Sequence, residues 1–182
     1  CNALGANTTG CKNTAVGAFA LDTNTEGDFN VAVGRSALTA NTTADNNVAV
    51  GLEALSTNTT GANNTSVGNY SSKLNTTGAC NIAIGYAAME VNTTGCLNTA
   101  VGYVSMDANI DGEFNTALGA ESLTANTTGD NNVAVGYNSM ATNTTASNNT
   151  AVGYNALLLN TTGANNVAIG RLALDSNTTA SD

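Results

Sequence analysis

One eleven-residue phrase, Asn7-Thr8-Thr9-Gly10-Cys11-Lys12-Asn13-Thr14-Ala15-Val16-Gly17, is rewritten with variations every seventeen residues along the whole chain. Its last glycine returns at Gly17, Gly34, Gly51, Gly68, Gly85, Gly102, Gly119, Gly136, Gly153 and Gly170, with no insertion or deletion. Its first asparagine returns at Asn24, Asn41, Asn58, Asn75, Asn92, Asn109, Asn126, Asn143, Asn160 and Asn177. A strict short period means a stack of like units, each contacting only its neighbours. Residues 1–182 therefore read as a single repeat array of ten full rungs and a partial one, with no separate domains.

Position one is assigned to the leading asparagine, so that Gly17 is position eleven. Position eight is then Thr, Val or Ile, position ten is Val, Ile or Leu, and position nine is Ala, with Ser66 the exception. This period-two alternation marks a strand, with branched side chains on one face and a methyl on the other. A face of Ala or Ser allows close approach by a second sheet or a neighbouring chain. Positions twelve and thirteen vary freely and are expected outside. Position fourteen is Ala or Ser, and position fifteen is Leu or Met except at Ser72, so the fifteenth side chain is expected inside. The Asn-Thr-Thr-Gly corner closes the rung, with Ala44, Ala146 and Ala180 replacing its glycine.

Helices are excluded, because β-branched residues and Asn dominate and no segment between glycines is long enough. The fold class is all-β: a parallel β-solenoid (β-roll or β-helix) with one 17-residue coil per repeat, each coil carrying two short strands between a Gly corner and an Asn-Thr-Thr corner. With only 4% aromatics, its interior must be thin, closed by valines and leucines stacked about 4.8 Å apart. The complete absence of proline suits strands whose N–H groups are all needed. Position seven is asparagine in every rung: Asn13, Asn30, Asn47, Asn64, Asn81, Asn98, Asn115, Asn132, Asn149 and Asn166. Its expected role is an amide ladder, each side chain bonding the next; a plain turn preference is the alternative.

A longer period of 85 residues, five rungs, relates Cys11 to Cys96, Asp22 to Asp107, Gly27 to Gly112 and Phe29 to Phe114. Duplication of a five-rung block extends length and favours no single active site. Both ends fall within a rung and have no polar cap, which leads one to expect either a longer parent chain or subunits stacked end to end as a filament.

Segments such as Asn149-Thr150-Ala151-Val152-Gly153-Tyr154-Asn155-Ala156-Leu157 and Asn132-Val133-Ala134-Val135-Gly136 resemble the head repeats of YadA-like trimeric autotransporter adhesins and similar repeats of phage-type tail fibres. The resemblance implies a parallel β-roll, often a homotrimer with alanine faces near a shared axis, that adheres to matrix, host surface or glycans. This rung is longer than the usual adhesin head unit, and Asn-Thr-Thr-Gly fills the extra corner. No anchor, stalk or chaperone domain of such proteins is present in this sequence.

Asn-x-Thr, the acceptor of N-linked glycans, recurs at Asn7, Asn41, Asn58, Asn75, Asn92, Asn126, Asn143, Asn160 and Asn177, and the acceptor pattern returns less regularly at Asn63 and Asn148 and, with Ser in place of Thr, at Asn64 and Asn69. A sugar stripe is one expectation; Asx and Thr turns that carry no sugar are the other. Two rungs replace the motif with acids: Asp22, Asn24, Glu26 and Asp28, and their counterparts Asp107, Asn109, Asp111 and Glu113. Both copy the opening of a calcium loop, but Val33 and Leu118 stand where its bidentate Glu belongs, so an acidic solvated turn competes with a Ca²⁺ site.

The four cysteines, Cys1, Cys11, Cys80 and Cys96, are disulfide candidates in a chain expected outside the cell. Cys80 and Cys96, on adjacent rungs one position out of register, would come within bridging range, and Cys1 or Cys11 could bridge subunits. Zinc is disfavoured, since no His and no Cys-x-x-Cys exists. The missing His also deprives any nucleophile of its usual base, so no enzymatic activity and no required cofactor is expected.

A net charge of −9 with only Lys12, Arg35, Lys73 and Arg171 positive excludes a phosphate-tracking nucleic-acid surface. No apolar run approaches the length needed for membrane insertion, and no signal peptide is visible, so the chain reads as a mature or partial segment. The expected function is structural: an extracellular, cell-surface or virion fibre that self-associates and presents a repetitive surface. A trimeric adhesin head binding host matrix or carbohydrate is the alternative. A third is an ice-binding solenoid, from the recurring Thr-Thr pairs.

Overall fold

A computed structural model describes residues 2–181. Ten three-residue strands, from β1 (Thr14–Val16) through β4 (Thr65–Val67) to β10 (Val167–Ile169), form one parallel sheet in sequence order. Every pairing advances by seventeen residues, as in Thr14 with Val31, Ala15 with Ala32 and Val16 with Val33. The chain is a parallel β-solenoid, with no helix among the described residues, and its nine steps span about 43 Å at the usual strand spacing.

The strand's inward and outward faces are the reverse of a valine-lined interior. Ala32, Ala49, Ala83, Ala100, Ala117, Ala134 and Ala151 are fully buried, whereas Val16, Val167 and Ile169 are more than half exposed. Position nine points in; positions eight and ten point out. The opposite wall is position fourteen together with the buried Leu21, Leu38, Leu55, Met89, Met106, Leu123, Met140 and Leu157. The long side chain at fifteen spans the interior, and only a methyl fits across from it. The expected closure by valines therefore fails for want of space, and the alanines face the interior of their own coil.

The expected second strand is absent as well, and the backbone shows why. Positions six, thirteen and fifteen lie in the left-handed region, for example Phe29 (φ 57°), Ser36 (φ 56°) and Leu38 (φ 53°). Residues of positive φ alternating with residues of negative φ turn successive peptide planes in opposite directions along the rod axis. Ser36 N–H thus donates back to Ala18 O at 2.8 Å, while Leu38 N–H donates forward to Ala54 O at 2.9 Å. The segment is a chain of turns that still bonds to both neighbouring coils, which satisfies its backbone as a strand would.

Each strand stops at the glycine of position eleven. Gly17 sits at φ 129°, and a Cβ there would come 2.6 Å from Gly34 O of the next coil. Conformation and space both demand glycine. The corner glycine at position four has no positive φ, so its conformation does not demand glycine and Ala44 and Ala146 stand there, although a Cβ at Gly27 would press on the Ala44 carbonyl of the next coil.

Candidate functional surface

The side chains that hold the coils together are mostly amides. At position one, Asn24 Nδ2 donates to Asn7 Oδ1, Asn41 Nδ2 to Asn24 Oδ1 and Asn75 Nδ2 to Asn58 Oδ1, each at 2.8 Å, and the pattern continues to Asn177. Each of these nitrogens also donates to the position-four carbonyl of its own coil, as Asn41 does to Ala44 O at 3.0 Å. A continuous amide-to-amide ladder therefore runs through position one.

Position seven works differently from the expected ladder. Asn30 Oδ1 accepts from the backbone N–H of Asn47 at 2.9 Å, and Asn30 Nδ2 donates to Ala44 O at 2.8 Å. The same pair of bonds recurs from Asn13 to Asn149. Side chain meets side chain only at Asn149 with Asn132 and Asn166 with Asn149, at 3.4 and 3.2 Å. Position seven precedes the strand, so its N–H lacks a sheet partner and the neighbouring amide oxygen supplies one. Position one carries the Asn-x-Thr pattern of a glycan acceptor, and nothing in that pattern separates a buried ladder from a surface motif.

That ladder decides where the glycan candidates lie. Asn41, Asn58, Asn75, Asn92, Asn126, Asn143 and Asn160 are buried, with Nδ2 donating to two acceptors. A sugar on that nitrogen would displace those bonds and find no room. Asn7 is exposed and Asn177 half-buried at the ends of the ladder; Asn63, Asn69 and Asn148 are exposed along its length, and Asn64 is buried.

The acidic rungs do not converge. Asn24 and Asn109 belong to the buried ladder, Asp28 Oδ1 accepts the Cys11 N–H at 2.6 Å, and Asp107 Oδ1 accepts the Thr124 hydroxyl. Glu26 and Asp111 are exposed. Asp22 is half-buried, as is Glu113, whose N–H bonds Asp130 Oδ1 at 2.7 Å. Among the described residues no three acidic or cysteine side chains group to hold a metal ion. Cys11, Cys80 and Cys96 are free thiols, and Cys1 lies outside the described residues. Cys96 Sγ at position five accepts the N–H of Ala79 at 3.3 Å, while Cys80 at position six is exposed, and the two are not bonded to one another.

The outward surface left by these ladders has three parts. The sheet face shows positions eight and ten, all Thr, Val, Ile or Leu across ten strands and without a charge. Beside it, tyrosines at position twelve stack between coils: Tyr86 on Tyr103 and Tyr137 on Tyr154, ring centroids 5.6 Å apart in both pairs. Three of the four cations rest on rings, Lys12 on Phe29 at 4.5 Å, Lys73 on Tyr70 at 5.0 Å and Arg171 on Tyr154 at 5.6 Å. The carboxylate of Glu121, 3.3 Å from the Tyr137 hydroxyl, raises that phenol above its ordinary pKa. At the corner, the threonine of position three is exposed in each coil that has one, while that of position two turns its hydroxyl to the next coil's carbonyl, as Thr59 does to Thr76 O at 3.0 Å. The Thr-Thr pair is thus split, half bonding the rod and half facing water.

The described residues enclose no pocket or cleft, and no helix among them is long and apolar enough to cross a membrane. Comparison of the chain with models of protein families, with curated proteins and with solved structures finds no match in any of the three.

Proposed function

We propose that the chain is a structural segment of an extracellular, cell-surface or virion fibre. The observation that carries this reading is the unbroken register: ten strands step by the same seventeen residues, with an asparagine ladder and a row of asparagines bonding the neighbouring backbone beside them. Such a stack resists bending and stretching along its axis, and adding coils lengthens it without disturbing the rest. The resemblance to YadA-like head repeats and tail-fibre repeats agrees with that role. Electron microscopy of the purified chain is the test. Straight rods at least about 4 nm long, single or joined, support the reading; compact particles with no long axis refute it.

A second reading, attachment through a trimeric adhesin head, is favoured by the uncharged sheet face, since exposed apolar patches of this length mark contact surfaces. The alanines are enclosed within each coil, so a trimer of this chain meets through its Val, Thr and Ile face, not through alanine. Sedimentation equilibrium separates the two: a mass three times that of the chain supports the trimer. Ice binding by the recurring threonines is the third reading, and thermal hysteresis of the purified protein tests it.

A further inference from the structure

The apolar interior is in two pieces. One runs from Ala20 to Leu55 and the other from Ala83 to Ala168, and between them lies the coil of residues 58–74. In that coil all three inward positions are serine: Ser66 in β4 where other strands have alanine, Ser71 at position fourteen, and Ser72 where the coils on either side place Leu55 and Met89. The three side chains are 1%, 0% and 3% exposed, and none of their hydroxyls has a hydrogen-bond partner.

Serines elsewhere on the same wall show that this is peculiar to the coil. Ser105, Ser122 and Ser139, also at position fourteen, donate to Ala117 O, Ala134 O and Ala151 O at 3.3, 3.4 and 3.0 Å. Those bonds cross the interior to the next strand, so positions fourteen and nine lie within reach of one another. Ser71 has the equivalent carbonyl on Ala83 and does not bond it. Ser72, moreover, ends at its γ-oxygen where leucine carries two further methyls, and the serines at 66 and 71 are scarcely larger than the alanines they replace. The coil therefore combines a shorter side chain at position fifteen with three buried hydroxyls lacking partners.

We propose that this coil holds an internal hydration site, in which at least one ordered water is shared by the hydroxyls of Ser66, Ser71 and Ser72. Water offers two donors and two acceptors, and a buried water needs two to four polar partners and space for one molecule; three buried, unpartnered hydroxyls of one coil supply the partners, and a serine in place of leucine at position fifteen supplies the space. The site interrupts the apolar contact between the two cores.

The decisive comparison is between the natural chain and the triple variant Ser66→Ala/Ser71→Ala/Ser72→Leu, which makes the interior of this coil the same as that of Ala49, Ala54 and Leu55 one coil below. Oxygen-17 relaxation dispersion of water counts molecules held longer than the tumbling time. The natural protein is expected to hold at least one more such water than the variant; equal counts overturn the proposal. High-resolution diffraction from the natural chain gives an answer that needs no variant. Density within about 2.6–3.2 Å of two or more of the serine oxygens supports the site. Three hydroxyls donating only to backbone carbonyls, with no such density, overturn it.

Discussion

Replacing Asn92 by aspartate tests the position-one ladder with a change of one atom type. Asn92 is fully buried; its Nδ2 donates to Asn75 Oδ1 at 2.8 Å and to Gly95 O at 3.1 Å, and its Oδ1 accepts from Asn109 Nδ2 at 2.8 Å. Aspartate keeps the acceptor and turns the donor into an oxygen facing two oxygens. Leaving a buried charge uncompensated costs about 3–5 kcal/mol. For a chain of this size each kcal/mol lowers Tm by about 2–4 °C, so the expected fall at neutral pH is about 6–20 °C. The carboxyl relieves part of this by binding a proton, because burial among oxygens raises its folded pKa above the ordinary value of about 3.9. With the folded value the higher one, the variant is most stable below about pH 4 and loses that stability as pH rises through the raised folded value. Asn7→Asp is the control, since Asn7 is exposed and its Oδ1 accepts from Asn24 in either form. Thermal unfolding followed by circular dichroism at several pH values reads both variants. Equal shifts in the two at neutral pH, or an Asn92→Asp shift that ignores pH between about 4 and 8, would refute the ladder as a buried amide structure.

Val104, a β-branched residue held at φ 42°, occupies a position where Asn138 and Asn155 stand in other coils. Val104→Asn is expected to stabilise the rod by about 1 kcal/mol in denaturant titration. Gly136→Ala puts a methyl about as close as 2.6 Å to Gly153 O at φ 128°, and should lower stability by at least about 2 kcal/mol or abolish soluble expression. The half-exposed pair of Lys73 and Glu53, 3.0 Å apart, should matter little, with Lys73→Ala costing under about 1 kcal/mol. Because the Glu53 hydrogen bond raises the Lys73 pKa above 10.5, that small contribution persists through neutral pH and vanishes only as pH climbs past the raised value. Peptide mapping by mass spectrometry should find no sugar on Asn41, Asn58, Asn75, Asn92, Asn126, Asn143 or Asn160 in folded protein, and a hexose series on any of them would contradict their burial.

Period and register were legible because they depend only on spacing. Once seventeen residues make a coil, Ala15 must lie beside Ala32 and Gly17 beside Gly34, whatever path the coil takes between them. The inward direction of Leu38 and Met106 could be read too, since a long apolar side chain kept at one position in a polar repeat has few other uses. The strand's orientation was not legible. Val-Ala-Val alternates equally well with either face inside, and the choice depended on how near the opposite wall stands. Nor did composition announce the left-handed residues: Asn46 and Asn63 hint at position six, but Leu38 and Tyr70 are poor markers of positive φ.

The repeat alone thus settled that the chain stacks, in parallel and in constant register, because a hydrogen-bonded array with an invariant step admits no other neighbour for each residue. Tertiary packing decided the remainder. Which asparagine becomes a buried ladder, which serves the backbone, and which branched residues face water follow from the narrow distance between two walls, and that distance exists only once both walls are in place.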